Sequence, residues 1–139
     1  MEKILVSACL LGVSCRYDQK SKEDPRVLKL LDHYDLIPFC PEILGGLPTP
    51  RPPSEINKGR VINIYGKDLT KEYEKGAEEG LRLARLYGAK KAILKARSPS
   101  CGRGQIYDGN FCKRLVKGDG ITARLFLKEN IEVISEEEL

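Results

Sequence analysis

Three short apolar runs in this chain each lead to a cysteine. Lys3-Ile4-Leu5-Val6-Ser7-Ala8 precedes Cys9, and Asp35-Leu36-Ile37-Pro38-Phe39 precedes Cys40. Lys90 to Arg97, apolar in its middle, runs through Ser98-Pro99-Ser100 to Cys101-Gly102. Runs this short, bounded by turn-forming residues, read as buried strands. Pro99 removes a backbone donor and Gly102 allows angles other residues avoid, so the third run breaks into a tight loop. In an open α/β sheet, ligands gather just past the carboxyl ends of the strands. Three strands delivering thiols to one sheet edge would make a site.

The remaining pattern fits such a sheet. Residues 25–33 read as a short helix, with Asp24 as N-cap, Pro25 at N1 and an apolar face of Val27, Leu28, Leu30 and Leu31. Residues 69–87 form the clearest helix, with Tyr73, Ala77, Leu81 and Ala84 at helical spacing and Gly88 past its end. Asp68 or Thr70 can cap it. Gly76 and Gly80 would each weaken it, which implies close packing against the sheet. A last helix over 120–128 precedes a strand at 131–134 and a tail at 136–139. The stretch 41–53, with its prolines and glycines, reads as a long ordered loop of the kind that binds ligands. Residues 59–66 read as a hairpin arm, and Asp108-Gly109 as a hairpin turn. Alternating strands and helices give an α/β fold: one domain over 1–139, Rossmann-like, with a mostly parallel sheet flanked by helices.

At 139 residues the chain can bury a real core, and its 41% apolar content is that of ordinary globular proteins. The net charge of +4 allows a basic groove for a nucleotide or RNA without requiring one. No run approaches the roughly 20 apolar residues of a membrane span, and no signal-peptide pattern follows Met1. The expected location is cytoplasmic. There, five cysteines point to metal ligands or reactive thiols rather than to disulfides.

Cys9, Cys40 and Cys101 could bind zinc with a further ligand or water. They could equally bind a cubane iron–sulfur cluster with one iron open, a Lewis acid suited to sulfur. Cys15 is a possible fourth ligand or a core thiol, Cys112 has no evident role, and His33 reads as a surface residue closing a helix. Glu42, two residues after Cys40, could have its pKa raised beside a dry cluster and act as a general base toward water. Ser98 and Ser100 could bind substrate or share a proton. Gly12, Arg16, Arg51, Lys95 and Ser100 are candidate substrate or phosphate contacts.

Two other readings use the same residues. Cys9 to Arg16 resembles the phosphate loop of low-molecular-weight tyrosine phosphatases, with Cys9 as nucleophile. Here that loop is one residue longer, which would misdirect the arginine. Alternatively Lys90, Lys91, Lys95 and Arg97 could form a phosphate-facing strip in a non-catalytic iron–sulfur or RNA-binding module.

Val6-Ser7-Ala8-Cys9-Leu10-Leu11-Gly12, Cys15-Arg16-Tyr17-Asp18, Cys40-Pro41-Glu42, Gly45 to Arg51 and Ser98-Pro99-Ser100-Cys101-Gly102 together resemble the DUF523 family of TudS-type thiouracil desulfidases. The likeness covers essentially the whole chain, with the motifs in order. One departure is Gln19, where the family commonly has glycine. The resemblance implies a [4Fe-4S] cluster on Cys9, Cys40 and Cys101, with catalytic roles for Glu42 and Ser98. It implies non-redox desulfuration of 2-thiouracil or 4-thiouridine monophosphate to uracil or UMP and hydrogen sulfide, with the substrate sulfur on the open iron. The chain lacks the additional domains of tRNA-acting relatives, which favours a free thiolated base or nucleotide over tRNA.

Overall fold

A computed structural model describes all of residues 1–139. Four parallel strands form the central sheet: β1 (Lys3–Ser7), β2 (Asp35–Phe39), β5 (Lys91–Leu94) and β8 (Glu132–Ser135), in spatial order β2-β1-β5-β8. Two antiparallel hairpins flank it, β3 (Ser54–Asn57) with β4 (Arg60–Asn63), and β6 (Gln105–Tyr107) with β7 (Leu115–Lys117). Leu5, Ala92 and Leu94 are buried on one face of the sheet against Leu81 and Ala84 of α3 (Thr70–Tyr87) and Phe126 of α4 (Ile121–Lys128). Ile4, Val6 and Ile93 are buried on the other face with Val27 of α1 (Pro25–Leu28). The expected α/β sheet with helices on both faces is therefore present. No helix is long and apolar enough to cross a membrane.

The chain turns outward to β2 after β1 and reaches β5 on the other side of β1. The order reverses between β1 and β5, which makes their carboxyl ends the crevice in which ligands bind in this class of fold.

Several local expectations need correction. The 25–33 helix is one α-helical turn continued as a 3-10 turn over Lys29–Asp32, with exposed His33 closing it; Asp24 caps the start as expected, its Oδ1 accepting the Arg26 N–H at 2.8 Å. Residues 41–53 are not wholly irregular: Pro41–Leu44 forms the short helix α2. Proline at N1 loses nothing there, because that N–H has no intrahelical partner. The hairpin arm at 59–66 has a partner strand, and Lys58-Gly59, both at positive φ, make the tight turn between them. Asp108-Gly109 is no two-residue turn, since the β6–β7 connection runs from Asp108 to Arg114. The tail is also folded. Glu136–Glu138 form a 3-10 turn closed by a capping box between Ser135 and Glu138, and Glu136 is 6% exposed.

Gly76 does permit close packing, but against α2 rather than the sheet. A Cβ there would overlap the Pro41 carbonyl, and one on Gly45 would overlap that of Glu72. Gly80 meets the rings of Phe39 and Phe126. These bare contacts seat α2 on α3 and so fix where Glu42 stands.

Candidate active site at the carboxyl edge of the sheet

Each strand end contributes a thiol for a local reason. After β1, Ala8–Leu11 make a 3-10 turn closed by left-handed Gly12, which leaves Cys9 buried at the sheet edge. Cys40 is the N-cap residue of α2. Cys101 lies in the turn after β5, whose carbonyls meet the start of α4: Ile121 N–H donates to Pro99 O at 2.9 Å and Thr122 N–H to Ser100 O at 2.8 Å. Helix α4 has no side-chain N-cap, and these carbonyls satisfy its first donors instead. A Cβ on Gly120 would strike the Ser100 peptide, so that approach requires glycine.

The three cysteines, together with Cys15, line one cavity of about 510 Å³. Burial pushes the Cys9 thiol up to about 11, reinforced by Cys40, and the Cys101 thiol up to about 12. Cys40 moves the other way, down to about 7, through a hydrogen bond with Cys15 and the N–H of Ile43; the same bond raises Cys15 far above an ordinary thiol. Ser7 Oγ donates to Cys101 Sγ at 3.2 Å and accepts the Lys95 N–H at 2.9 Å. No three Cys, His, Asp or Glu side chains converge on one point where a single ion would sit. A tetrahedral zinc draws its sulfur ligands to about 2.3 Å from one centre. A cubane spreads its thiolates over separate irons, and Cys9, Cys40 and Cys101 on the wall of one cavity could hold it.

Beside the thiols runs a continuous polar chain. Arg51 reaches one oxygen of Glu42, Oε1, through Nε at 3.0 Å and Nη2 at 2.9 Å. It also donates to the carbonyls of Pro48 and Cys15, both at 3.0 Å. The other oxygen of Glu42, Oε2, accepts from Ser100 Oγ at 2.8 Å. Ser100 Oγ lies 3.0 Å from Ser98 Oγ, which accepts the N–H groups of Ser100 and Cys101 at 3.1 and 2.7 Å. With Ser100 donating to Glu42, the hydroxyl hydrogen of Ser98 points to Ser100. Glu42 therefore stands beside the thiols, where a general base toward water was expected. It is ion-paired, and it meets Ser98 only through Ser100.

The other expected contacts divide. Arg16 and Lys95 line the cavity. Arg16 is turned onto Asp18, both contacts at 3.3 Å, and the Lys95 amine lies 3.1 Å from Glu136. Arg51 lines it too, but it is buried and its guanidinium is taken up by protein acceptors. Ser100 is 1% exposed and serves the polar chain rather than offering an open contact. Gly12 lies outside the cavity wall and acts by shaping the Cys9 turn. Cys112 is exposed, with only its own loop's Asp108 at 3.9 Å.

Neither competing reading fits this geometry. A phosphatase nucleophile needs an easily ionised thiol, and Cys9 is pushed the opposite way, in a 3-10 turn with Arg16 engaged by Asp18. The basic strip is divided as well: Lys90 and Lys91 stand at the start of β5, while Lys95 and Arg97 at its far end are paired to Glu136 and Glu137.

The 2-thiouracil desulfurase family matches residues 4–138. The chain belongs to that family. It is 40% identical over 146 residues to the uncharacterized protein YbbK of Bacillus subtilis (strain 168), covering 98% of this chain and 97% of the relative. Its structure superposes with a TM-score of 0.95 on a [4Fe-4S]-dependent thiouracil desulfidase, TudS (DUF523Vcz), at 45% identity, covering all of this chain and 93% of the other.

Against this desulfurase background, three participants escaped the sequence reading. Ser7 looked like strand, and only its place beside Cys101 distinguishes it. Tyr73 looked like helix core, and it is 2% exposed, but its ring lines the cavity; burial and the charge of Glu42 raise its phenol well above the usual range. Glu136 looked like a solvated tail. In the fold its Oε1 accepts the Ala96 N–H at 2.8 Å while Oε2 faces Lys95.

Proposed function

We propose that this protein is a [4Fe-4S]-dependent desulfidase that replaces the sulfur of a thiolated uracil derivative with oxygen from water and releases hydrogen sulfide, without net electron transfer. The observation that carries this reading is the shared cavity. Thiols from the ends of three adjacent parallel strands line it with a carboxylate–serine chain, in a family whose solved relative is a thiouracil desulfidase.

Cys9, Cys40 and Cys101 would hold the cluster. A cluster held by three thiolates supplies an iron without a protein ligand, a Lewis acid that favours soft sulfur. Glu42 takes a proton from water through its carboxylate as that water attacks the ring carbon. Arg51 keeps this carboxylate in place. Ser98, hydrogen-bonded to Ser100 and through it to Glu42, returns a proton to the departing sulfur. The chain Glu42–Ser100–Ser98 supports this assignment, because it gives the proton a path between the two residues.

The cavity volume suits one base or nucleotide. That size favours a free base or nucleotide, 2-thiouracil or 4-thiouridine monophosphate, over tRNA; Arg16 and Lys95 stand on the wall and would meet an attached phosphate only by leaving Asp18 and Glu136. Five unpaired thiols suit a reducing, cytoplasmic setting.

Anaerobic reconstitution with iron and sulfide tests the proposal, followed by a visible absorbance spectrum, an iron count and a sulfide-release assay. About four irons per chain and sulfide released from 2-thiouracil or its nucleotides are expected. Protein that binds only zinc, or releases no sulfide, would overturn it.

A further inference from the structure

Six non-glycine residues have left-handed backbone, and three of them, Arg97, Phe111 and Lys113, line the cavity. Phe111 stands out. A left-handed conformation is rare for a bulky side chain, and Phe111 adopts it at φ 55°. Such outliers persist only where the surroundings enforce them, and they gather at ligand sites.

What enforces this one is visible. Glu55 of β3 reaches across with Oε1, which accepts the Gly109 N–H at 3.0 Å and the Phe111 N–H at 3.1 Å. A Cβ on Gly109 would strike the Ile56 carbonyl and Asn57, so the loop lies directly on β3. The Asp108–Arg114 connection is thereby fixed to the other hairpin, with Phe111 half-buried on the wall of the cavity that holds the thiols.

Three of the other rings along that wall are engaged elsewhere, and the fourth, Tyr107 of β6, is the one that competes with Phe111. Phe39 stacks on Phe126 at 5.9 Å, Tyr73 is core, and the Arg16 guanidinium lies over the Tyr17 ring at 5.5 Å. A pyrimidine is flat and presents a π-face, and an aromatic side chain is what holds such a ring in plane. We infer that Phe111 is the residue on which the substrate's pyrimidine ring stacks, with Glu55 as the positioning residue that keeps it there. This deepens the desulfidase reading and rests on it.

The test uses anaerobic, cluster-loaded enzyme. KM and kcat are measured with 2-thiouracil, and Kd by calorimetry with UMP, which has no sulfur to lose. F111L raises KM and Kd by roughly tenfold, the loss expected when one base–aromatic stack is removed, while kcat changes little. F111W recovers most of that loss. The chain has no tryptophan, so the new indole also reports UMP by a change in fluorescence. E55A follows F111L, whereas E55Q retains an acceptor for the two N–H groups and recovers the affinity. Unchanged KM and Kd in F111L, a silent indole in F111W, or a loss produced by Y107L in place of F111L overturns the stacking assignment. Failure of the desulfidase reading looks different: wild-type enzyme then releases no sulfide, whatever residue 111 does to UMP binding.

Discussion

Arg51 grips Glu42 from the side, with Nε and Nη2 at 3.0 and 2.9 Å from the same oxygen, and the two side chains are 5% and 12% exposed. Arg51 also holds the carbonyls of Cys15 and Pro48, so one guanidinium joins the segments after β1, after β2 and within the proline loop. Removing one partner of a buried pair costs about 3–5 kcal/mol. R51M should lose about that much in chemical denaturation and nearly all sulfide release. R51K keeps the charge but cannot reach the same acceptors in a planar fork, and should fold with kcat lowered about tenfold. Wild-type stability in R51M would remove Arg51 from this role.

Ser100 is the only side chain linking Glu42 to Ser98. S100A should lower kcat by about 10²-fold, the ordinary scale of a proton-transfer contribution, and leave KM nearly unchanged. The S98A/S100A double variant should be little worse than S100A, because residues acting as one unit are strongly non-additive. Multiplying losses would show that the two serines act separately.

Single alanine variants distinguish the thiols. C9A, C40A and C101A should lose the bound iron and the activity together. C112A should keep both, since its thiol is exposed and does not line the cavity as its neighbours Phe111 and Lys113 do. C15A should keep its iron, because Cys15 is a neighbour of Cys40 rather than a proposed ligand. Loss of iron from C15A would add it to the ligand set.

Glu136 faces Lys95 with side chains 7% and 18% exposed, and its second oxygen holds the Ala96 N–H. E136A strands both donors, and each lost charged hydrogen bond costs about 1.5–3 kcal/mol. The expected result is a lower denaturation midpoint with a raised KM, since Lys95 stands on the cavity wall. A variant ending at Ser135 should behave the same way. Unaltered stability in either would return this segment to the status of a tail.

Asp68 accepts hydrogen bonds from Arg60 at 2.9 Å and from the Thr70 N–H at 2.9 Å, and these hold its carboxyl down to about 2. A depressed folded-state pKa gives stability that is present above the ordinary value of about 4 and is lost as pH falls toward 2. Melting temperature should therefore drop between pH 4.5 and pH 2.5 more steeply in the wild type than in D68N. Parallel curves would show that the ion pair contributes nothing.

Strand ends were legible where the signal is local. An apolar run cut by proline, glycine or cysteine identifies β1, β2 and β5 without knowing their neighbours, and helical spacing capped by Gly88 identifies α3. Short elements were obscured because a proline reads as a breaker until its N1 position is known, as in α2. The strand β3 was hidden because its SEIN segment is half-buried and only mildly apolar.

That three thiols sit at strand ends, with Glu42 and Ser98 near two of them, is legible in the chain because both facts depend on neighbours in sequence. Strand order, the pairing of Glu42 with Arg51, its link to Ser98 through Ser100 and the burial of Glu136 in the acidic terminus are set by residues that meet only in the fold. These features depend on partners distant along the chain: Glu42 and Ser100 are 58 residues apart, and β1 pairs with β5 from Ile4 to Lys91. A charged residue reads as solvated until the fold brings its counter-charge within about 3 Å.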